Sequence, residues 1–424
     1  MVCEVTGHRG GWRLALRTAL AVGLLVACAS PGFAITDEDI YNQLRFNFVN
    51  PGGRALAMGG AAIAAVQDST ASLSNPGALV ALTDDEFFVE YRSTTFDTLE
   101  NASFEVGSVT AVNGSSVADV GSMTYVSYVR PWYTTRKDGS FRQWSLAFSR
   151  QEVANTNRSV DGQEVRVDDD AGQGRFLTNT ADGNVDLEII QYNIGFAGQI
   201  TRNWSVGLTG SYAEMDLTSN GASVTRDPFN IGPEASNPRF RLDDETTQFS
   251  TRIDGKTAED FTYSFGIYWQ PNSFYGDARP PFRLGLTYSA GPSFEVPITV
   301  FGADGAEIVD PLDVNSSRKF VLDVPDRYGL GFAYEWLTGA NEENRLTLAT
   351  DAIWVGYTNL LNGFENGLNP FTSTGVEIDY TIDDGYELRA GFEWSRQISR
   401  SWNFDVRFGY ARLPANVIYA NRIE

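Results

Sequence analysis

The chain has 424 residues and carries 54 acidic against 32 basic side chains, a net charge of −22 that excludes nucleic acid and other polyanions as partners by repulsion. Hydrophobic residues make up 42 % and charged residues 20 %, with 41 Gly, 27 Phe and 18 Tyr, a profile unlike a disordered chain. Beyond residue 34 no apolar stretch reaches the roughly 18 residues that a membrane-spanning helix needs, and the aromatic and glycine content points instead to many short strands.

Both cysteines, Cys3 and Cys28, and the only histidine, His8, lie in the first 34 residues. Arg9, Arg13 and Arg17 precede an apolar run from Ala19 to Ala29 and the small-residue stretch Ser30-Pro31-Gly32-Phe33-Ala34, so residues 1–34 read as a signal peptide cleaved before Ile35. Leu25-Val26-Ala27-Cys28 also fits a lipobox with Cys28 as a lipidated N-terminus, and the two readings stay open. Either way the rest of the chain has no Ser-His-Asp or Cys-His nucleophile, no His or Cys zinc site and no disulfide. No catalytic residue, metal or cofactor is expected. A secreted carbohydrate enzyme working with two carboxylates is the enzymatic alternative left open, against which stands the lack of Trp clustered with Asp or Glu in the connections.

Residues 35–85 have a different character, with Asn50-Pro51-Gly52-Gly53-Arg54-Ala55-Leu56-Ala57-Met58-Gly59-Gly60 and then Asn75-Pro76-Gly77-Ala78-Leu79. Small residues permit close backbone packing in a confined space, so the segment is either a loop-rich arm or a plug inside a barrel lumen. A phosphate-cradling loop is discounted, because no Lys-Ser or Lys-Thr follows the glycines and no strand precedes them.

From residue 86 onward, strict period-two segments alternate with polar, acidic connections. Eleven strands are predicted, over 87–96, 122–130, 141–150, 185–198, 204–217, 261–270, 282–294, 328–337, 345–357, 386–396 and 402–411. Weaker candidates at 104–112, 375–382 and 416–423 would raise the number to fourteen. Trp204 and Tyr212, Phe261 and Trp269, Tyr328 and Trp336, and Tyr386 and Trp394 bracket one apolar face at a spacing of eight residues. Eight tilted residues cover roughly 20 Å of membrane normal, which suits the aromatic girdles of a transmembrane barrel. The opposite face carries Ser, Thr, Gly, Gln and Asn with single charges such as Arg283, Glu335, Asp351, Arg389 and Glu393. Those charges would ruin a sandwich core, whereas a lumen tolerates them.

The connections alternate short and long, with 216–259 and 296–325 in the long class, as short periplasmic turns and external loops do. The acidic runs Asp168-Asp169-Asp170 and Asp243-Asp244-Glu245 fall in the long class and read as solvated loop faces, because they lack the ligand spacing of a calcium loop.

Residues 53–61 with Asp68-Ser69 and Asn75-Pro76-Gly77-Ala78-Leu79 resemble the hatch of the FadL/TodX-type outer-membrane transporters of long-chain fatty acids and aromatic hydrocarbons, Gly77 replacing the usual Ala. Further on, Pro281-Phe282-Arg283-Leu284-Gly285-Leu286, Val324-Pro325-Asp326-Arg327-Tyr328-Gly329, Leu346-Thr347-Leu348-Ala349-Thr350-Asp351 and Tyr386-Glu387-Leu388-Arg389-Ala390-Gly391 are similar to that family's later strands. The resemblance implies an all-β fold: a transmembrane antiparallel barrel of about fourteen strands over 86–424, with an N-terminal hatch over 35–85 inside its lumen. It also implies capture of an apolar ligand outside the cell, hatch movement at Asn75, Pro76 and Gly77, and sideways release near an inward kink of the third strand, 141–150. Family members usually end on a strand with a terminal aromatic residue, whereas this chain ends Ile418-Tyr419-Ala420-Asn421-Arg422-Ile423-Glu424, which leaves the closing strands in question.

The expected function is therefore an outer-membrane channel for long-chain fatty acids or hydrocarbons, with a non-transporting barrel that serves as scaffold or shuttle for secreted proteins as the alternative. A long apolar ligand gains about 0.8 kcal/mol per buried methylene and needs no charged group. Arg45 and Arg54 are candidates to meet a ligand carboxylate, set against pairing with lumen acids, and Phe229, Ile231 and Phe240 are candidates to collect ligand in the first long loop. The expected surroundings are outer-membrane lipid, lipopolysaccharide included, and the expected state is a monomer, since a closed barrel has no free edge.

Overall fold

The computed structural model describes residues 46, 48–102, 112–135, 141–168, 175–226, 248–271, 282–297, 299–301, 319–338, 344–362, 378–399, 402–414 and 419–422. Arg45, Phe229, Ile231, Phe240, the signal segment with Cys28, Asp169, Asp170 and the 243–245 acidic run lie outside the described residues.

The strands are β1 (Glu86–Ala102), β2 (Val112–Thr135), β3 (Phe141–Asp168), β4 (Arg175–Gln199), β5 (Trp204–Arg226), β6 (Gln248–Trp269), β7 (Phe282–Ser289), β8 (Ser293–Pro297), β9 (Thr299–Phe301), β10 (Lys319–Asp323), β11 (Arg327–Thr338), β12 (Asn344–Val355), β13 (Ile378–Thr381), β14 (Gly385–Ser399), β15 (Trp402–Arg412) and β16 (Tyr419–Arg422). One antiparallel sheet runs β1-β2-β3-β4-β5-β6-β7-β11-β12-β14-β15, and each of the eleven predicted strands contributes one member of this path. Two of the weaker candidates also form strands, and β13 and β16 pair with each other apart from the main sheet. Among the described residues no ladder joins β15 to β1, so the closed edge expected of a barrel is not part of this sheet.

Three predicted boundaries are corrected. The connection expected over 216–259 is mostly strand, because β5 continues to Arg226 and β6 starts at Gln248. Its sequence is largely polar without strict alternation, so the period-two signal fades while the backbone ladder goes on. The strand expected over 282–294 breaks at Ala290-Gly291-Pro292, where proline has no N–H to give a ladder, and the expected long connection after it holds β8, β9 and β10. The strand expected to reach residue 357 stops at Val355, and Tyr357–Leu361 forms a 3-10 turn.

Alternation places large apolar groups outward and small or polar ones inward. Phe261 is 79 % exposed and Tyr386 68 %, whereas their strand neighbours Thr262 and Glu387 are buried. So much contiguous apolar surface is unsuited to water and suited to lipid. The bracketing aromatics form two rows of ring contacts. Near the short turns lie Trp204 against Trp269 (6.1 Å), Trp269 against Phe282 (5.1 Å) and Trp394 against Phe404 (6.1 Å). At the other end lie Tyr192 against Tyr212 (6.5 Å), Tyr212 against Phe261 (5.2 Å), Tyr288 against Tyr328 (4.6 Å) and Tyr328 against Trp354 (5.1 Å). Such pairs add about 0.5–1.5 kcal/mol each beyond their area.

Two irregularities bear on the site. The β3/β4 register shifts between Glu152 and Ala154, and there the alternation fails: Gln151, Glu152, Val153 and Ala154 are all buried. Beside this bulge the β2/β3 ladder is interrupted. Residues 125–135 pair with 141–151, and 113–114 pair with 162–163, but no pairing joins the stretches between.

Candidate functional site

Residues 48–82 run along the inward face and touch all eleven strands of the main sheet, so the sheet curls around them. The segment contains two short helices, α1 (Gly53–Ala57) and α2 (Ala71–Ser74), followed by a 3-10 turn over Pro76–Ala81. None of these is long enough to be stable alone. They are held by side chains of the wall.

Asn75, Pro76 and Gly77 sit at the centre of this contact. Asn75 Oδ1 accepts from the Gly77 N–H (3.0 Å), and its Nδ2 donates to the carbonyls of Ile63 (3.0 Å) and of Ile267 in β6 (3.2 Å). Ser205 of β5 donates to the Gly77 carbonyl (2.7 Å), Ser145 of β3 to that of Leu79 (3.0 Å) and Thr209 of β5 to that of Ser72 (3.2 Å). Gln143 of β3 donates to the carbonyl of Leu82. Across the lumen, Asp351 Oδ2 of β12 accepts from the N–H groups of Ala62 (2.6 Å) and Ile63 (3.0 Å). The lumenal Ser, Thr and Asp of the sequence reading are therefore the partners of an otherwise unpaired backbone.

Glycines on the wall let that backbone approach. A Cβ at Gly285 of β7 would lie 2.5 Å from the Ile63 carbonyl oxygen, one at Gly331 of β11 2.6 Å from Ile63 Cβ, and one at Gly391 of β14 2.5 Å from Met58 Cβ. No real side chain fits at such distances.

Charge is concentrated at the short-turn end. Glu393 of β14 is fully buried and meets Arg54 (2.8 Å), Arg345 (3.4 Å) and Arg407 (2.7 Å). Arg54 also donates to the Ala65 carbonyl (3.1 Å), so the structure places this arginine on a wall carboxylate and on its own segment. Arg283 faces Glu335 there too (3.5 Å), whereas nearer the other end Arg389 pairs with Glu387 while donating to the carbonyls of Phe48 (3.0 Å) and Gly60 (3.3 Å). Replacing Glu393 by Ala leaves three arginines without their shared carboxylate. A loss of about 3–5 kcal/mol is expected, read as a lower temperature for the shift between folded and unfolded bands on a gel.

The inward face changes chemistry along its length. From the short-turn end, β5 presents Ser205, Gly207, Thr209 and Ser211 and then Ala213, Met215 and Leu217. Likewise β4 presents Gln199, Ala197, Gly195, Asn193 and Gln191 and then Ile189 and Leu187. The far ends join Phe48, Val153, Phe294, Leu322 and Val324 in one buried aliphatic cluster. Sequence reasoning missed this cluster because its members come from nine separated stretches and the lumen had been read as polar throughout. At the boundary between the two chemistries lies a cavity of about 30 Å³, lined by Phe48, Gln191, Asn193, Thr209, Ser211 and Arg327 among others. It has room for a water or two.

No protein-family model matches the chain, and no curated protein matches it in sequence. Solved structures do. The toluene transporter TodX of Pseudomonas putida is 14 % identical, with 88 % of this chain and 86 % of that chain covered and a TM-score of 0.47. A FadL homologue of Pseudomonas aeruginosa is 15 % identical over 91 % of this chain and 82 % of that one, with a TM-score of 0.49. The chain is similar to FadL/TodX-type channels. The CymD monoaromatic hydrocarbon channel is a further neighbour of this type, 11 % identical over 87 % of this chain and 86 % of that one, with a TM-score of 0.40. The sheet and the seating of residues 48–82 rest on the chain's own hydrogen bonds and strand ladders.

Proposed function

We propose that the chain is a channel of the bacterial outer membrane for the uptake of hydrophobic small molecules, and that it is not an enzyme. The observation that carries the reading is the division of the lumen. One end is an aliphatic chamber suited to an apolar ligand, and the other is a floor of ion pairs through which such a ligand cannot pass without large desolvation cost. Residues 48–82 lie between the two and act as the hatch.

A ligand that enters the chamber and cannot cross the floor needs a side exit. The interrupted β2/β3 ladder beside the Glu152/Ala154 bulge offers one. Phe46, which makes an isolated antiparallel bridge to Ala154, stands at this place, and Ser122 of β2 donates across it to Glu152 (2.8 Å). The chamber is filled by its own side chains in this state. A long ligand enters by displacing them, offsetting lost packing with about 0.8 kcal/mol per buried methylene.

The test is uptake by a Gram-negative strain that lacks channels of its own for these compounds. Expression of the chain is expected to raise entry of a radiolabelled long-chain fatty acid or of toluene several-fold, with no gain for a small sugar. A gain for the sugar alone, with the barrel shown to be folded, would make the chain a water-filled pore and end the proposal.

A further inference from the structure

We infer that the outward face of β11, β12, β14 and β15 holds one lipopolysaccharide molecule, with an acyl chain in a hollow of the wall and a phosphate on Arg412. The site lies outside the lumen and does not depend on what the channel carries. Strand register sets four outward residues side by side in each of two neighbouring rows. One row is Phe332, Thr350, Ala390 and Tyr410, and the next is Leu330, Ala352, Leu388 and Arg412. Thr350, Ala352 and Ala390 are small, so the surface sinks between the larger side chains of Leu330, Phe332, Leu388 and Tyr410. The hollow has a volume of about 360 Å³. That is room for roughly a dozen groups of water or methylene size.

Its height in the wall identifies the occupant. The row above is Tyr328, Trp354 and Tyr386, part of the aromatic row far from the short turns. The hollow therefore lies inside the apolar band, in its outer half, and faces lipid chains. Lipid tails are as apolar as the wall, so a chain gains here by filling a void and not by leaving water. Arg412 is exposed one row beneath the aromatics, and among the described residues it has no ion pair and no side-chain hydrogen bond. By contrast Arg150, paired in the ladder with Tyr192 of the same aromatic row, has Glu188 at 3.8 Å. An arginine on the lipid face is costly unless it reaches up to the headgroups and meets an anion there. The outer leaflet of a bacterial outer membrane is built of lipopolysaccharide, which carries phosphates above and saturated chains below, in the order in which Arg412 and the hollow can receive them.

The experiment titrates the full-length purified protein in a neutral detergent with rough-type lipopolysaccharide, with the same material stripped of its lipid A phosphates, and with phosphatidylglycerol, and counts the bound lipids by native mass spectrometry. One lipopolysaccharide per chain is expected, held more tightly than phosphatidylglycerol. Arg412→Gln should weaken it about fivefold, the usual worth of one basic residue at a lipid surface, and leave the dephosphorylated form unchanged, while Arg412→Lys keeps most of the preference. Ala390→Phe fills the hollow and should weaken both forms. Gly210→Phe adds the same ring at an outward position of β5, where a Cβ meets nothing within 4 Å, and should change neither. Each variant is checked for folding by its heat-shifted band on a gel. Equal binding of lipopolysaccharide and phosphatidylglycerol, unchanged binding in either Arg412→Gln or Ala390→Phe, or an equal loss of both lipopolysaccharide forms in Arg412→Gln overturns the site, and the channel reading is then still judged by uptake alone.

Discussion

Oxidation of a Ser69→Cys/Ser127→Cys pair is expected to abolish uptake of hydrophobic compounds, and reduction is expected to restore it. Ser127 Oγ of β2 donates to Ser69 Oγ at 2.9 Å, so two sulfurs at these places can close a bond with little movement of the backbone. Ser69 lies two residues before the helix that leads to Asn75, and Ser127 is fixed in the wall, so the bond ties residues 48–82 to the sheet. The only native cysteines are Cys3 and Cys28, both in the segment read as a leader, which keeps unwanted pairings to a minimum. The reduced double variant serves as the control, since replacement of two small buried hydroxyls by thiols alters little volume. Uptake that persists in the oxidised form, with the disulfide confirmed by mass, would show that residues 48–82 need not move.

Gly266→Leu is expected to have the opposite effect and open the barrel to small polar solutes. A Cβ on Gly266 of β6 would lie 2.7 Å from the Gly77 nitrogen and 2.9 Å from the Pro76 nitrogen, with the Asn75 amide closer still. The strand cannot yield, because it lies in the middle of the sheet, so the turn must move despite its bonds to the wall. The turn is driven off, and Ser205, Thr209 and Asp351 lose their backbone partners in the same event. Single-channel conductance in planar bilayers is the direct readout. A sustained open level should appear in the variant and be absent in the wild type; a silent, folded variant would show that the segment adapts around the added side chain. Asp351→Asn is a milder probe of the same seat. Loss of charge-assisted bonds to Ala62 and Ile63 should cost about 1.5–3 kcal/mol and produce brief openings in place of a sustained one.

The sheet was legible in the sequence wherever the two faces of a strand meet different surroundings. Between the aromatic rows, lipid outside and polar groups inside impose strict alternation, and Trp402-Asn403-Phe404-Asp405-Val406 can be read as a strand without further help. Beyond the upper row the pattern dissolves. Ser219-Asn220-Gly221 is strand by its ladder to residues 251–253, yet nothing in its composition says so. The site was legible in part. Arg283, Glu335, Asp351, Arg389 and Glu393 were recognisable as inward charges from their place opposite an apolar face, and the structure buries all five. Their partners were not recognisable. An acid with three arginines, as at Glu393, and an acid with one, as at Glu335, differ only in which strands lie next to one another in space. The aliphatic chamber was hidden for the same reason, since Val153 belongs to it only because a bulge turns the strand there.

The reach of residues 48–82 to all eleven strands also constrains the order of assembly. A segment whose bonds go to Glu90 near one end of the sheet and to Glu393 near the other has no seat until the sheet has formed and curled. A segment that precedes every strand in the chain is thus placed last, after contacts separated by more than three hundred residues have closed. During that wait it must not pair with the free strand edges around it. Its sequence meets this need: Ala61-Ala62-Ile63-Ala64-Ala65 and its flanking glycines have little tendency to extend into a strand, and so offer the growing sheet a poor competitor for its proper neighbours.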